Sequence, residues 1–193
     1  MIDPAGKTYL VTGGGSGIGR SIVEHLAASG SRVVTCGRRA AALEETAARC
    51  QSLPGTVEPV VADLTQRDQL DHVVAVTGGA SGRIDGIVNN AGMVLPVMFP
   101  HWREEDLDAL LELNLRVPIR LVQRAWTSLE AAAGRIVNLS SLAVLMPFPS
   151  NGAYGVSKSA LDGLTRAIHV EARDSGVQAF SLALGAVETA MLR

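Results

Sequence analysis

Cysteine is scarce in this 193-residue chain, with two copies, and the four histidines are scattered along it. Cys36 and Cys50 have no spaced His or Cys companions, so neither a disulfide framework nor a structural zinc or other metal site is expected. Long apolar runs are lacking as well: the longest are strand-sized and broken by glycine or polar residues, which argues against a membrane span. The first residues lack a secretory leader pattern. Positive charge is not in excess, since 17 Lys and Arg face 19 Asp and Glu for a formal net charge of -2. That balance offers no basic patch to nucleic acid or to an anionic membrane. The expectation is a cytoplasmic chain with neither of those partners.

What is present fits a soluble, globular protein: 47% hydrophobic and 19% charged residues, with 20 glycines. The length suits one α/β domain spanning residues 1–193. The first segment, Lys7 to Thr12, is a short β-rich run leading into Gly13-Gly-Gly-Ser16-Gly17-Ile18-Gly19. An amphipathic helix follows from about Arg20 to Ser29, and then a second strand, Arg32 to Cys36. A strand, a glycine-rich turn and a helix in that order let the backbone approach a pyrophosphate at a helix N-terminus. At the end of the second strand a carboxylate would accept the ribose hydroxyls of NAD; the chain has Gly37-Arg38-Arg39 instead. A guanidinium offers a planar fork to a 2′-phosphate, so the pattern points to NADP(H), with NAD(H) also possible. One of the two arginines is expected to be merely solvated.

Further along, a helix is expected over 40–50 and a third strand from Val57 to Ala62, ended by Asp63-Leu64. Residues 78–82 read as a connector. A fourth strand, Ile84 to Val88, runs into Asn89-Asn90-Ala91-Gly92. The stretch 103–129 is helical, with Asn114 interrupting a stripe of leucines ahead of Pro118; a buried mid-helix Asn needs a partner. A fifth strand, Arg135 to Leu139, opens onto Ser140-Ser141, and a sixth is expected over 177–183. The segment from Leu142 to Phe148 is too apolar for an ordinary exposed loop.

The densest chemistry lies in Tyr154-Gly-Val-Ser-Lys158, at the head of a helical pattern running to about Ala172. Residues four apart share a helix face, so an ammonium can sit beside the phenol. A free phenol titrates near ~10, and a nearby cation lowers that value toward the useful range for acid–base catalysis. Taken alone, the same spacing also describes an ordinary aromatic followed by a solvated lysine.

Together, Thr12-Gly13-x-x-x-Gly17-x-Gly19, Asn89-Asn90-Ala91-Gly92, Asn114, and Ser141 thirteen residues before the Tyr154-x-x-x-Lys158 pair resemble the short-chain dehydrogenase/reductase family. The resemblance runs from Gly6 to about Met191. It implies a Rossmann-like, doubly wound parallel sheet in three α/β/α layers. It also implies an NAD(P)-dependent oxidoreductase that interconverts a carbonyl and an alcohol. Residue by residue, it implies that Tyr154 is the general acid, that Lys158 lowers its pKa and holds the nicotinamide ribose, and that Ser141 orients the carbonyl. Ser140 supports the turn, and Asn114 feeds a proton relay. For the dinucleotide it implies contacts at Gly13, Ser16, Gly17, Ile18, Gly19, Arg38, Arg39, Asp63, Leu64, Asn90, Ala91, Gly92, Gly185, Val187 and Thr189, besides Tyr154 and Lys158. Asp63 would bind the adenine amino group, or cap the helix beginning near Thr65, and Leu64 would pack beside the ring.

Relatives usually continue with a mobile lid, another helix and a seventh strand, so six strands are expected here. A homodimer would then use the faces of the long helices at 103–129 and 154–172. The substrate is expected to be a small, largely apolar carbonyl or alcohol compound. The alternative reading is a dinucleotide-binding sensor or scaffold with little turnover.

Overall fold

The computed structural model describes residues 3–185 and 187. Six parallel strands alternate with helices. They are β1 (Thr8–Thr12), β2 (Arg32–Gly37), β3 (Thr56–Val61), β4 (Gly86–Asn89), β5 (Arg135–Ser141) and β6 (Gln178–Leu184). Their order across the sheet is β3-β2-β1-β4-β5-β6. Neighbouring Leu10 and Val11 point to opposite faces of β1, and both are fully buried. A strand apolar on both faces is what a sheet covered by helices on both sides requires.

One layer is made by α3 (Arg67–Gly78), α5 (Val117–Glu130) and α6 (Gly152–Glu171). Leu70, Val73, Leu121, Leu129 and Ile168 from these helices pack on Leu10, Val34, Ile87 and Ile136. Across the sheet, Val23 and Ala27 of α1 (Gly17–Ala28) pack on Val11, Val33 and Val88. The helix α2 (Ala40–Arg49) lies beside β2 and β3 and buries Leu43 and Thr46. The remaining helix, α4 (Glu104–Leu111), buries Leu110.

The expected continuous helix over 103–129 is three pieces, because a π-helical turn at Glu112–Arg116 separates α4 from α5. Asn114 is inside that turn and 1% exposed. Likewise α1 starts at Gly17 rather than Arg20, so two of the motif's glycines belong to its first turn. The expected connector at 78–82 holds the end of α3 and a short 3-10 turn at Gly79–Ser81. Strand order reverses direction between β1 and β4. The Gly-rich turn after β1 and the 89–92 turn after β4 therefore meet at the carboxyl ends of adjacent strands, where ligands bind in open α/β sheets.

Candidate active site

Thr12, the last residue of β1, joins those two turns. Its buried hydroxyl accepts the N–H groups of Asn90 (3.0 Å) and Ala91 (2.9 Å) and lies 3.3 Å from the Val88 carbonyl. The Asn90 amide donates back to the carbonyls of Thr12 (2.8 Å) and Gly13 (3.2 Å). Gly13 has a φ of 71°, a region side chains rarely adopt. A Cβ at Gly13 would sit 2.9 Å from the Asn90 amide nitrogen, and one at Gly19 would overlap the same atom. The motif glycines therefore let α1 start hard against the Asn90 turn. Such a cradle, with the N–H groups and positive dipole end of α1 behind it, fits a pyrophosphate.

Ser16 is the N-cap of α1, and its hydroxyl accepts Arg39 Nη2 at 3.1 Å. Both arginines after β2 are exposed. Of the two, Arg39 leans over the Gly-rich turn. Asp63 caps the turn into α3, accepting from Thr65 N (3.0 Å) and Thr65 Oγ1 (2.8 Å). Leu64, expected beside an adenine ring, has its side chain buried in the core with Val60 and Ala62.

On the β5 side, Lys158 is 5% exposed and its Nζ donates to the Leu139 carbonyl at 2.7 Å. It lies 5.7 Å from the centre of the Tyr154 ring. Burial pushes this lysine down to about 8, opposed by the negative charge of Asp162 one turn along α6. Burial also pushes the Tyr154 phenol above its usual value, and the Ser141 hydroxyl offsets part of that rise. Burial thus moves the phenol in the direction opposite to the lowering expected from Lys158. The Ser141 hydroxyl accepts Ala143 N at 3.1 Å, whereas the buried hydroxyl of Ser140 has no partner among the described residues. The turn is therefore supported by Ser141 and not, as expected, by Ser140.

Asn114 reaches the same place from the π-helical turn. Its Oδ1 accepts Met93 N at 2.8 Å, and its Nδ2 donates to the Met93 carbonyl (2.9 Å) and to Ser157 Oγ (3.0 Å). A π-helical turn widens the helix by one residue and often marks a functional site. A Cβ at Gly92 would stand 3.1 Å from Asn114 Oδ1 and 3.6 Å from Lys158 Nζ, so the Asn-Asn-Ala-Gly turn, Asn114 and Lys158 converge. Gly185 faces Leu142, Val187 is half-exposed, and Thr189 lies outside the described residues.

Sequence reasoning missed several neighbours. Ser157 bonds both Asn114 and the Tyr154 carbonyl, and its only signal is its place beside Lys158. Trp102 ties the wall of the site together: its Nε1 donates to the Val97 carbonyl (3.0 Å), while Val97 N donates to the Ser150 carbonyl (2.8 Å). Its indole packs on Gly152, the first residue of α6, and on the edge of Phe99. Along the rim, Met98, Phe99, Leu145, Met146 and Phe148 are all more than half exposed. Among the described residues no cluster of His, Cys, Asp or Glu could hold a metal, and no helix is long and apolar enough to cross a membrane.

The arrangement can hold a dinucleotide across β1 and β4 and present a hydroxyl, a phenol and an ammonium to a group placed beside it. Comparison with known proteins agrees. The chain is 32% identical over 187 residues to the 3-oxoacyl-(acyl-carrier-protein) reductase FabG of Thermotoga maritima, covering 96% of this chain and 76% of that one. A metagenomic short-chain oxidoreductase solved in complex with NADP superposes with a TM-score of 0.88 at 32% identity, covering 95% of this chain and 84% of that one. A short chain dehydrogenase/reductase from Burkholderia phymatum in complex with NAD gives a TM-score of 0.92 at 26% identity, covering 99% and 69%. The family model described as short chain dehydrogenase matches residues 7–193. The chain belongs to the short-chain dehydrogenase/reductase family and is an NAD(P)-dependent oxidoreductase acting on CH-OH or carbonyl groups.

Proposed function

We propose that the protein is an NADP(H)-dependent reductase that converts an apolar ketone to a secondary alcohol, or runs the reverse reaction, with Tyr154 as general acid or base. The observation that carries this reading is the burial of Lys158 at the head of α6, its ammonium 5.7 Å from the Tyr154 ring and bonded to Leu139, two residues before Ser141. When bound in the Gly13–Gly19 cradle, NADPH supplies the hydride. The chain does the rest. Accepting Ala143 N leaves the Ser141 O–H as a donor, given to the Tyr154 phenol here and turned to the carbonyl oxygen on which negative charge develops when substrate is bound. The raised pKa of Tyr154 keeps its phenol protonated at neutral pH, the form needed to give that oxygen its proton. Lys158 provides positive charge beside the phenol and a donor for a ribose. Asn114 holds Met93 and Ser157 in place, and its part in this reading is to keep a proton path open at Lys158.

NADP(H) is favoured by Arg39 leaning on Ser16, with no carboxylate at the end of β2 to repel a 2′-phosphate. NAD(H) would use the same cradle more weakly. An apolar substrate is supported by the rim of Met98, Phe99, Leu145, Met146 and Phe148. The chain works in this reading as one dinucleotide-binding domain. Its second copy docks on the long helices, where α6 exposes Val156 and Val170; a monomeric mass in solution would remove that part.

The test is loss of NADPH absorbance over a panel of apolar ketones, comparing wild type with Tyr154→Phe after fluorescence has shown that both bind NADPH. A fall in turnover on the order of a thousandfold with binding retained is expected. Binding without turnover on any ketone would instead favour a sensor or scaffold.

A further inference from the structure

Arg20, the fourth residue of α1, faces α2 rather than the cofactor cradle. Its Nη2 donates to the Gly15 carbonyl at 2.7 Å and to Glu45 Oε2 at 2.9 Å. Its Nη1 donates to Glu45 Oε1 at 2.7 Å, and its Nε to Thr46 Oγ1 at 3.1 Å. Four of the five guanidinium donors are thus engaged, which leaves Arg20 poorly placed to grip a phosphate itself. Thr46 is fully buried on α2, and its hydroxyl lies 3.0 Å from the carbonyls of Gly14 and Ala42.

Two consecutive carbonyls of the Gly-rich turn are therefore drawn toward α2. A trans peptide unit is planar, with C=O and N–H opposed. Holding the Gly14 and Gly15 carbonyls on the α2 side turns the N–H groups of Gly15 and Ser16 the other way. Neither N–H donates to a backbone carbonyl elsewhere among the described residues. The turn has little room to relax: a Cβ at Gly15 would already stand 3.1 Å from the Ala42 side chain, and one at Gly14 would overlap Thr35.

We infer that Arg20 and Thr46 are positioning residues for the dinucleotide: they hold back the Gly14 and Gly15 carbonyls so that two N–H groups face the pyrophosphate. This rests on the cofactor reading above. Because the pyrophosphate is common to NADPH and NADH, the pair serves both dinucleotides equally. Arg39, the N-cap of the same α2, acts on the 2′-phosphate alone.

The experiment is fluorescence titration of NADPH and NADH into wild type and the variants Arg20→Met, Thr46→Val, Thr46→Ser and Arg39→Met. Unfolding midpoints are measured on the same proteins without dinucleotide. Arg20→Met and Thr46→Val are each expected to weaken both dinucleotides by a shared factor of about ten. Thr46→Ser restores wild-type affinity because it keeps the hydroxyl, and Arg39→Met weakens NADPH only. An Arg20→Met protein with unchanged dissociation constants overturns the inference. So does a loss confined to NADPH, which would make Arg20 a phosphate ligand, or a Thr46→Ser protein as weak as Thr46→Val. If Arg20→Met fails to fold, the contrast between Thr46→Val and Thr46→Ser decides alone. A wild type that binds neither dinucleotide removes the cofactor reading and this inference with it.

Discussion

The two walls of the site are built differently. On the dinucleotide side, Thr12, Asn90, Arg20 and Thr46 hold one glycine-rich turn from three directions with hydrogen bonds of 2.7–3.2 Å. On the substrate side, the segments at 93–102 and 142–151 are joined mainly by the Val97–Ser150 bond and by Trp102, and they leave large apolar side chains in solvent. The first wall spends its side-chain polar groups on itself and keeps the N–H groups of Gly15 and Ser16 for a ligand. The second keeps apolar surface uncovered, which favours contact with an apolar partner. A rigid wall suits a cofactor whose chemistry does not vary, and an adjustable wall suits substrates that do.

The sharpest way to test that contrast is at its seam. Lys158→Met is expected to lower turnover by about a thousandfold and also to alter the pH dependence of stability. Burial pushes Lys158 down to about 8 in the fold, against an ordinary 10.5. The unfolded chain therefore binds more protons between those values, and wild-type stability rises with pH across that window. The cost of burying the ammonium is fully present below about pH 8 and fades as pH approaches 10.5. Urea titrations at a series of pH values should show the difference between wild type and Lys158→Met moving in favour of wild type over this range. A pH-independent difference would contradict the buried ammonium.

Next in size is Thr12→Val, which leaves the N–H groups of Asn90 and Ala91 without their acceptor. A loss of about 3 kcal/mol in unfolding free energy is expected, together with weaker binding of NADPH and NADH alike. A loss within about 0.5 kcal/mol would show that the dinucleotide wall does not depend on this hydroxyl. Arg39→Ala is smaller: about a tenfold rise in the dissociation constant for NADPH, with NADH unchanged. An equal rise for both would place Arg39 in the rigid wall rather than at the 2′-phosphate. Smallest is Phe148→Ser on the rim, expected to change unfolding free energy by no more than about 0.5 kcal/mol. It should leave NADPH binding untouched while raising KM for an apolar ketone several-fold. A shift in NADPH affinity would erase the distinction between the walls.

The same division governs how far the molecule could be read from its residues. The six strands and the helix order follow from apolar runs bounded by glycine and polar residues, which is local information. So are the Gly-rich turn and the spacing of Tyr154 and Lys158. The start of α1 at Gly17 is harder to read, because glycine disfavours helices in general and here close approach to Asn90 overrides that preference. Leu64 follows Asp63 at the end of a strand, and that its side chain lies in the core is a matter of which way the chain turns after β3. The direction of the Tyr154 shift depends on burial, and burial is set by segments distant in sequence. The hydroxyls of Thr12, Ser157 and Thr46 and the indole of Trp102 act through partners up to 79 positions away, and no periodicity announces them.

The π-helical turn at Glu112–Arg116 has a bearing on what changes of length this region tolerates. An α-helix advances by about 100° per residue, so one additional residue in a turn acts as a phase adjuster. It lets Asn114 look into the site while Leu110 before it and Val117, Leu121 and Leu129 after it all keep their inward bearing. Removing a single residue between 112 and 116 would let the wide turn close into an ordinary α-helical one, so that the apolar stripe of α5 keeps its bearing on the sheet while Asn114 loses its place beside Met93 and Ser157. A change in the count of residues here is therefore felt at the site before it is felt in the core.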